Sequence, residues 1–145
     1  MSKALVSIVK YEKPLDSVRK AVDLCKGLDH LPAKAKVFIK PNIVFWIRTA
    51  IFPKWGTITT SRVVEDMVIL LKERGIEEII IGEGIVLSKP KDKATPAHAF
   101  YSLGYTTLQK RYGVKRPGSR AASRCAGGRR SRRSRARPDR RRRSR

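Results

Sequence analysis

Long hydrophobic runs are missing from this chain of 145 residues. No stretch of 18 or more apolar residues occurs, so no membrane-spanning helix and no membrane partner is expected. The apolar run Ala4–Val9 is shorter than the core of a secretion signal, and charged residues follow at once. Cysteine is nearly absent. Cys25 and Cys125 are the only two, which excludes a disulfide framework and any clustered metal spacing. A reducing, cytoplasmic setting is therefore the expectation, with no metal site. Acidic residues are also scarce: 12 Asp and Glu stand against 34 Lys and Arg.

The basic excess is divided between two different polymers. Residues 1–115 carry a net charge of +9 and use 15 Lys against 5 Arg. Residues 116–145 carry +13 from 14 Arg and the single acid Asp139, with no Lys. That segment has no Val, Ile, Leu, Met, Phe, Tyr or Trp, so it has no large apolar side chain with which to offset the entropy of ordering. The expected organisation is an incomplete α/β domain over residues 1–115 and a disordered Arg/Ser-rich tail over 116–145. Two origins compete for the tail. A selected arm of this charge would bind nucleic acid through phosphate contacts, with steep salt dependence and little sequence preference. Residues with GC-rich codons dominate it, however. No aromatic residue is interleaved for base stacking, and the composition breaks abruptly where a strand should form. An out-of-frame translation of a GC-rich gene is the favoured reading.

Within residues 1–115 the periodicity alternates between strand and helix. Leu5–Val9 is read as a first strand. Pro14 suits a helix start, and Leu15, Val18, Val22 and Cys25 follow at helical spacing to Gly27, with Cys25 expected to be buried. Lys36–Lys40 is the second strand, stopped by Pro41-Asn42. A long connection, 43–60, contains Phe45, Trp46, Phe52 and Trp55, read as packing surface. The strongest helical pattern comes next. Val63, Val64, Met67, Val68 and Leu71 form one face, and Gly75 ends the helix. Ile79-Ile80-Ile81 has the unbroken apolar pattern of a strand covered on both faces, parallel to the second. Lys89–Lys93 reads as a charged loop. Thr95-Pro96 then caps a short helix over 97–103, and Thr106 with Gln109 forms a capping box for a last helix ending at Gly113. Val114-Lys115 begins another strand. The fold class is α/β: a partial, mostly parallel sheet with flanking helices around a βαβ unit.

Several of these pieces carry a resemblance. Val37-Phe38-Ile39-Lys40-Pro41-Asn42-Ile43-Val44, Thr59-Thr60-Ser61 leading into Val63-Val64, and Ile79 through Gly84 resemble the bacterial and archaeal family called domain of unknown function 362. Ala99-Phe100, Leu103-Gly104-Tyr105 and Tyr112-Gly113-Val114 continue the likeness. The resemblance implies an α/β domain without an established activity, in a family with possible redox links. Some members carry [4Fe–4S] centres. Cys25 and Cys125 do not match such a cluster, so no iron–sulfur cofactor is carried over. The family domain also continues beyond the point where this chain turns to Arg and Ser. The implied reading is a truncated member, inactive as it stands.

Candidate ligand-binding residues gather at expected strand and helix ends. In open parallel sheets, ligands bind beyond the carboxyl ends of the strands. Lys40 and Asn42 at such an end offer a cation and an amide to a carboxylate or phosphate. Thr59, Thr60 and Ser61 precede the strongest helix, where hydroxyls and free amides suit either an anion or an ordinary N-cap. Glu83, between Gly82 and Gly84, places one carboxylate at the end of the third strand. The pattern is not a dinucleotide fingerprint, because the sixth position is Leu87, and no P-loop is present. His98 reads as a packing residue. The catalytic residues are not defined by the sequence. The expectation is a small anionic ligand at the edge formed by Lys40, Asn42, Thr59, Thr60, Ser61 and Glu83.

Overall fold

The computed structural model describes residues 4–32, 34–49, 57–86, 89 and 91–117. Four helices and two strands follow in the order α1 (Asp16–Leu24), β1 (Lys36–Ile39), α2 (Ser61–Glu73), β2 (Glu78–Ile81), α3 (Ala94–Ser102) and α4 (Tyr105–Tyr112).

β1 and β2 are parallel, with Lys36 opposite Glu78 and Ile39 opposite Ile81. α2 connects them, so the expected βαβ unit is formed. Two isolated bridges extend it. Phe45 pairs with Val86 beyond the carboxyl ends, and Lys115 pairs with Ile80 on the other side of β2. The second bridge is closed by Ile81 N–H donating to Lys115 O (3.0 Å) and by Lys115 N–H donating to Ile79 O (2.8 Å). The strand step expected at Val114-Lys115 is thus in place.

Burial explains why β2 lacks alternation. Ile79, Ile80 and Ile81 are all buried, whereas β1 alternates exposed and half-buried residues. Val64, Val68 and Leu71 of α2 share one core with Ile79 and Ile81 of β2, Phe100 of α3, and Tyr105 and Leu108 of α4. α2 ends at Gly75, whose φ of +80° is the left-handed conformation that glycine adopts without strain. The turn from α3 to α4 depends on the same property at Gly104, φ +82°.

Several local expectations are corrected. Leu5–Val9 forms no ladder with any described strand. Ile8 is 94% exposed, and Ser7 Oγ instead donates to Ala21 O of α1 at 2.6 Å. β-branched composition favours a strand only where a neighbour supplies the missing hydrogen bonds. The segment is also tied down by Tyr11, whose hydroxyl donates to the buried Asp66 of α2 at 2.8 Å. Cys25 is half-buried rather than enclosed, since it lies just past the end of α1. Thr95 does not cap α3. Asp92 does, accepting from the amides of Ala94 and Thr95 and from the Thr95 hydroxyl at 2.9, 3.1 and 2.6 Å. The Thr106–Gln109 capping box is not made, because α4 begins two residues earlier, with Gly104 at its N-cap.

In the connection after β1, Trp46 is buried and its indole N–H donates to His98 Nδ1 of α3 at 2.9 Å. That is the packing role expected of both residues. Phe45 remains exposed. Phe52, Trp55 and residues 118–145 lie outside the described residues. Among the described residues, no helix is long and apolar enough to cross a membrane.

Candidate functional site at the carboxyl edge of the sheet

Parallel pairing puts the carboxyl ends of β1 and β2 side by side, which brings Lys40 and Glu83 together. Lys40 Nζ donates to Glu83 Oε2 at 2.7 Å. The two ends of this pair differ sharply in solvation. The Lys40 side chain is 63% exposed and that of Glu83 only 4%. Glu83 is therefore not the surface residue that a glycine-flanked turn suggests. Its Oε1 accepts from the amide of Gly84 at 2.7 Å, and the amide of Ile43 also donates to the carboxylate. Burial alone would raise the Glu83 pKa. The Lys40 hydrogen bond, the two amides and the Lys40 charge outweigh burial and hold it below its ordinary value.

Asn42 and Thr59 form a second group at the same edge. The Asn42 amide donates to Thr59 Oγ1 at 3.0 Å and the Thr59 amide returns a bond to Asn42 O at 2.9 Å. The Asn42 side-chain amide donates to Thr57 O at 3.0 Å. These bonds fasten the entry of α2 to the end of β1. Tyr105 adds a further tie by donating its hydroxyl to Thr59 O, and its burial pushes its pKa up to about 12. Thr60 occupies the N-cap position of α2 with extended backbone, yet its hydroxyl makes no cap bond. Ser61 faces the α3–α4 corner, its Oγ 3.5 Å from where a Cβ on Gly104 would stand. The structure thus joins Lys40 to Glu83 and Asn42 to Thr59, while Ser61 lies against the α3–α4 corner.

A cleft of about 950 Å³ opens beside Glu83. Lys91, Asp92 and Lys93 line it from the loop before α3, Pro96 and Phe100 from α3, and Arg116 and Pro117 from the chain after Lys115. The Arg116 guanidinium stands 5.4 Å from the centroid of the Phe100 ring. Asp92 is held below its ordinary pKa, first by the Thr95 hydroxyl, then by the Thr95 and Ala94 amides and the positive charge of Arg48. The Asp92 and Glu83 carboxylates are thus both engaged by internal donors. Lys91 and Lys93 form no ion pair among the described residues. A smaller cavity of about 340 Å³, lined by Phe38, Lys40 and the Gly82–Gly84 turn, shares Glu83 and Pro117 with the cleft.

Lys91, Lys93 and Arg116 were not singled out by sequence reasoning, which saw the first two as a charged loop. The available signal was their placement between the end of β2 and a helix start, a position that the chain topology brings to the carboxyl edge of the sheet. Among the described residues, no group of three or more His, Cys, Asp or Glu side chains converges as a metal site. Cys25 hydrogen-bonds Val22 O at 3.4 Å and does not line the cleft. One such thiol does not meet the donor set of an iron–sulfur cluster.

A parallel βαβ unit with a cleft beyond its strand ends defines a member of the open α/β class. Residues 37–124 match the model of the family described as "Domain of unknown function (DUF362)", and since this is more than half of the chain, the chain belongs to that family. The matched segment runs past residue 115 into the Arg/Ser-rich stretch. No curated protein and no solved structure matches the chain.

Proposed function

We infer that this domain binds a small anionic molecule at the carboxyl edge of β1 and β2, in the cleft between the Gly82–Gly84 turn and the start of α3. The supporting observation is the allocation of charge around that cleft. Glu83 and Asp92 are already satisfied by internal donors, whereas Lys91 and Lys93 have no carboxylate partner among the described residues. Lys40 adds a cation that is mostly solvated despite its bond to Glu83. On this reading Asn42 and Thr59 act as the scaffold that fixes the edge, and Thr60 and Ser61 contribute through the start of α2. A redox-linked reaction, if the domain performs one, would run on a ligand held by these cations.

The test is thermal unfolding of the full chain with added inorganic phosphate or acetate. Ligand at ten times its Kd should stabilise the protein by about 1.4 kcal/mol. Lys91→Ala with Lys93→Ala should remove that gain. An unchanged melting temperature across both anions contradicts the reading.

A second reading, polyanion binding through residues 116–145, is supported by their net charge of +13. It predicts that removing those residues abolishes DNA binding at physiological salt. The out-of-frame origin proposed for the same segment is tested by resequencing the coding DNA. A second frame that continues Val114-Lys115 into β-type sequence supports it, and an intact Arg frame flanked by stops in the others contradicts it.

A further inference from the structure

The cleft has more in it than a bare inorganic anion would use. Its volume, about 950 Å³, falls in the range of pockets that enclose organic ligands. Its cations are confined to the loop before α3 and to Arg116. Pro96, Ala97, Phe100 and Pro117 form an apolar wall, and the internally bonded carboxylates of Glu83 and Asp92 complete the lining. An inorganic phosphate held by Lys91 and Lys93 would leave that apolar wall in contact with water. Burial of apolar surface is the general source of affinity beyond charge. The Arg116 guanidinium, 5.4 Å from the Phe100 ring centroid, also brings a flat cationic group against the apolar side. Guanidinium groups stack on rings and pair with oxyanions, so this residue suits a ligand that carries both.

Resting on the anion-binding reading above, we propose that the cleft takes an organic anion, a phosphate or carboxylate joined to an apolar body. The oxyanion lies at Lys91 and Lys93, and the body lies against Pro96, Ala97, Phe100 and Pro117. The headgroup is an open choice between two chemistries that Lys recognises equally, and the apolar body is the part that separates this ligand from free phosphate or acetate.

Isothermal titration of the full chain at fixed ionic strength tests this with matched pairs, methyl phosphate against phenyl phosphate and acetate against benzoate. At least one aromatic ligand should bind about tenfold more tightly than its partner, equivalent to ~1.4 kcal/mol. Ala97 is exposed on α3, so Ala97→Gln crowds the apolar wall without altering a charge or the core. This variant should reduce the aromatic ligand to the affinity of its small partner and leave the small partner unchanged. Equal affinity within both pairs overturns the organic-anion proposal but leaves the anion site standing. An aromatic preference that survives Ala97→Gln places the contact elsewhere and also overturns it. If none of the four ligands binds, both the proposal and the anion-binding reading fail.

Discussion

Replacing Glu83 with Gln removes one charge from a buried, three-donor carboxylate while keeping its shape. In the wild-type protein, Lys40 Nζ and the amide of Gly84 each lie 2.7 Å from a carboxylate oxygen, and the Ile43 amide donates as well. A glutamine offers one acceptor oxygen, so a donor now meets an NH2 group. Hydrogen bonds to charged groups contribute about 1.5–3 kcal/mol, and the neutral amide recovers part of that through its smaller desolvation cost. The expected loss is about 1.5 kcal/mol. For a domain of roughly 60–100 residues this corresponds to a fall in Tm of about 6–12 °C. The pH dependence follows from the lowered pKa. A carboxylate with a depressed folded-state pKa stabilises fully above its unfolded value, near 4.5, and that contribution is lost as pH falls through the folded value. Thermal unfolding followed by circular dichroism should therefore show a wide gap between wild type and Glu83→Gln at neutral pH that narrows on acidification below the ordinary carboxylate range. A Tm unchanged at neutral pH, or a gap that widens in acid, refutes the account of Glu83 as a buried clamp.

Three further outcomes are expected. A methyl group at Gly82 would overlap the Pro117 ring and come within 2.8 Å of Phe38 Cζ, so Gly82→Ala should destabilise by about 1–3 kcal/mol in denaturant titration. His98→Ala removes the acceptor of the Trp46 indole N–H and should cost about 1 kcal/mol while shifting Trp46 fluorescence. The Tyr105 hydroxyl titrates near 12 rather than 10. Because its folded pKa is raised, the stability it contributes is complete below the unfolded value and lost as pH rises through about 12. Tyr11 is raised to about 12 as well, so Tyr105→Phe should reduce the amplitude of the phenolate step there in the ultraviolet titration without removing it.

The repeating parts of the fold were legible because they rest on periodicity. The broad apolar face from Val63 to Leu71 and the unbroken Ile79–Ile81 run each match one way of being buried, and the parallel pairing follows from the helix between the strands. Local composition misled where a tertiary partner decides the outcome. Leu5–Val9 is rich in β-branched residues but pairs with no strand among the described residues. Thr106 and Gln109 have capping chemistry but sit inside a helix that starts at Tyr105. At the edge, Lys40 and Glu83 were legible as neighbours from the topology. The burial of Glu83, whose side chain is 4% exposed, was not, because solvent exclusion at a strand end depends on tertiary packing that no local pattern encodes. Lys91 and Lys93 looked like ordinary loop charges because the partner that gives them significance is the engagement of Asp92 by Ala94 and Thr95.

The anion-binding account is tested most directly by an amide NMR titration of the full chain with inorganic phosphate. The account predicts saturable shifts concentrated at Gly82–Gly84 and Lys91–Ala97, with the same titration of the Lys91→Ala, Lys93→Ala variant giving none. Shifts absent from both segments in the wild-type protein, or unchanged in the variant, would contradict it.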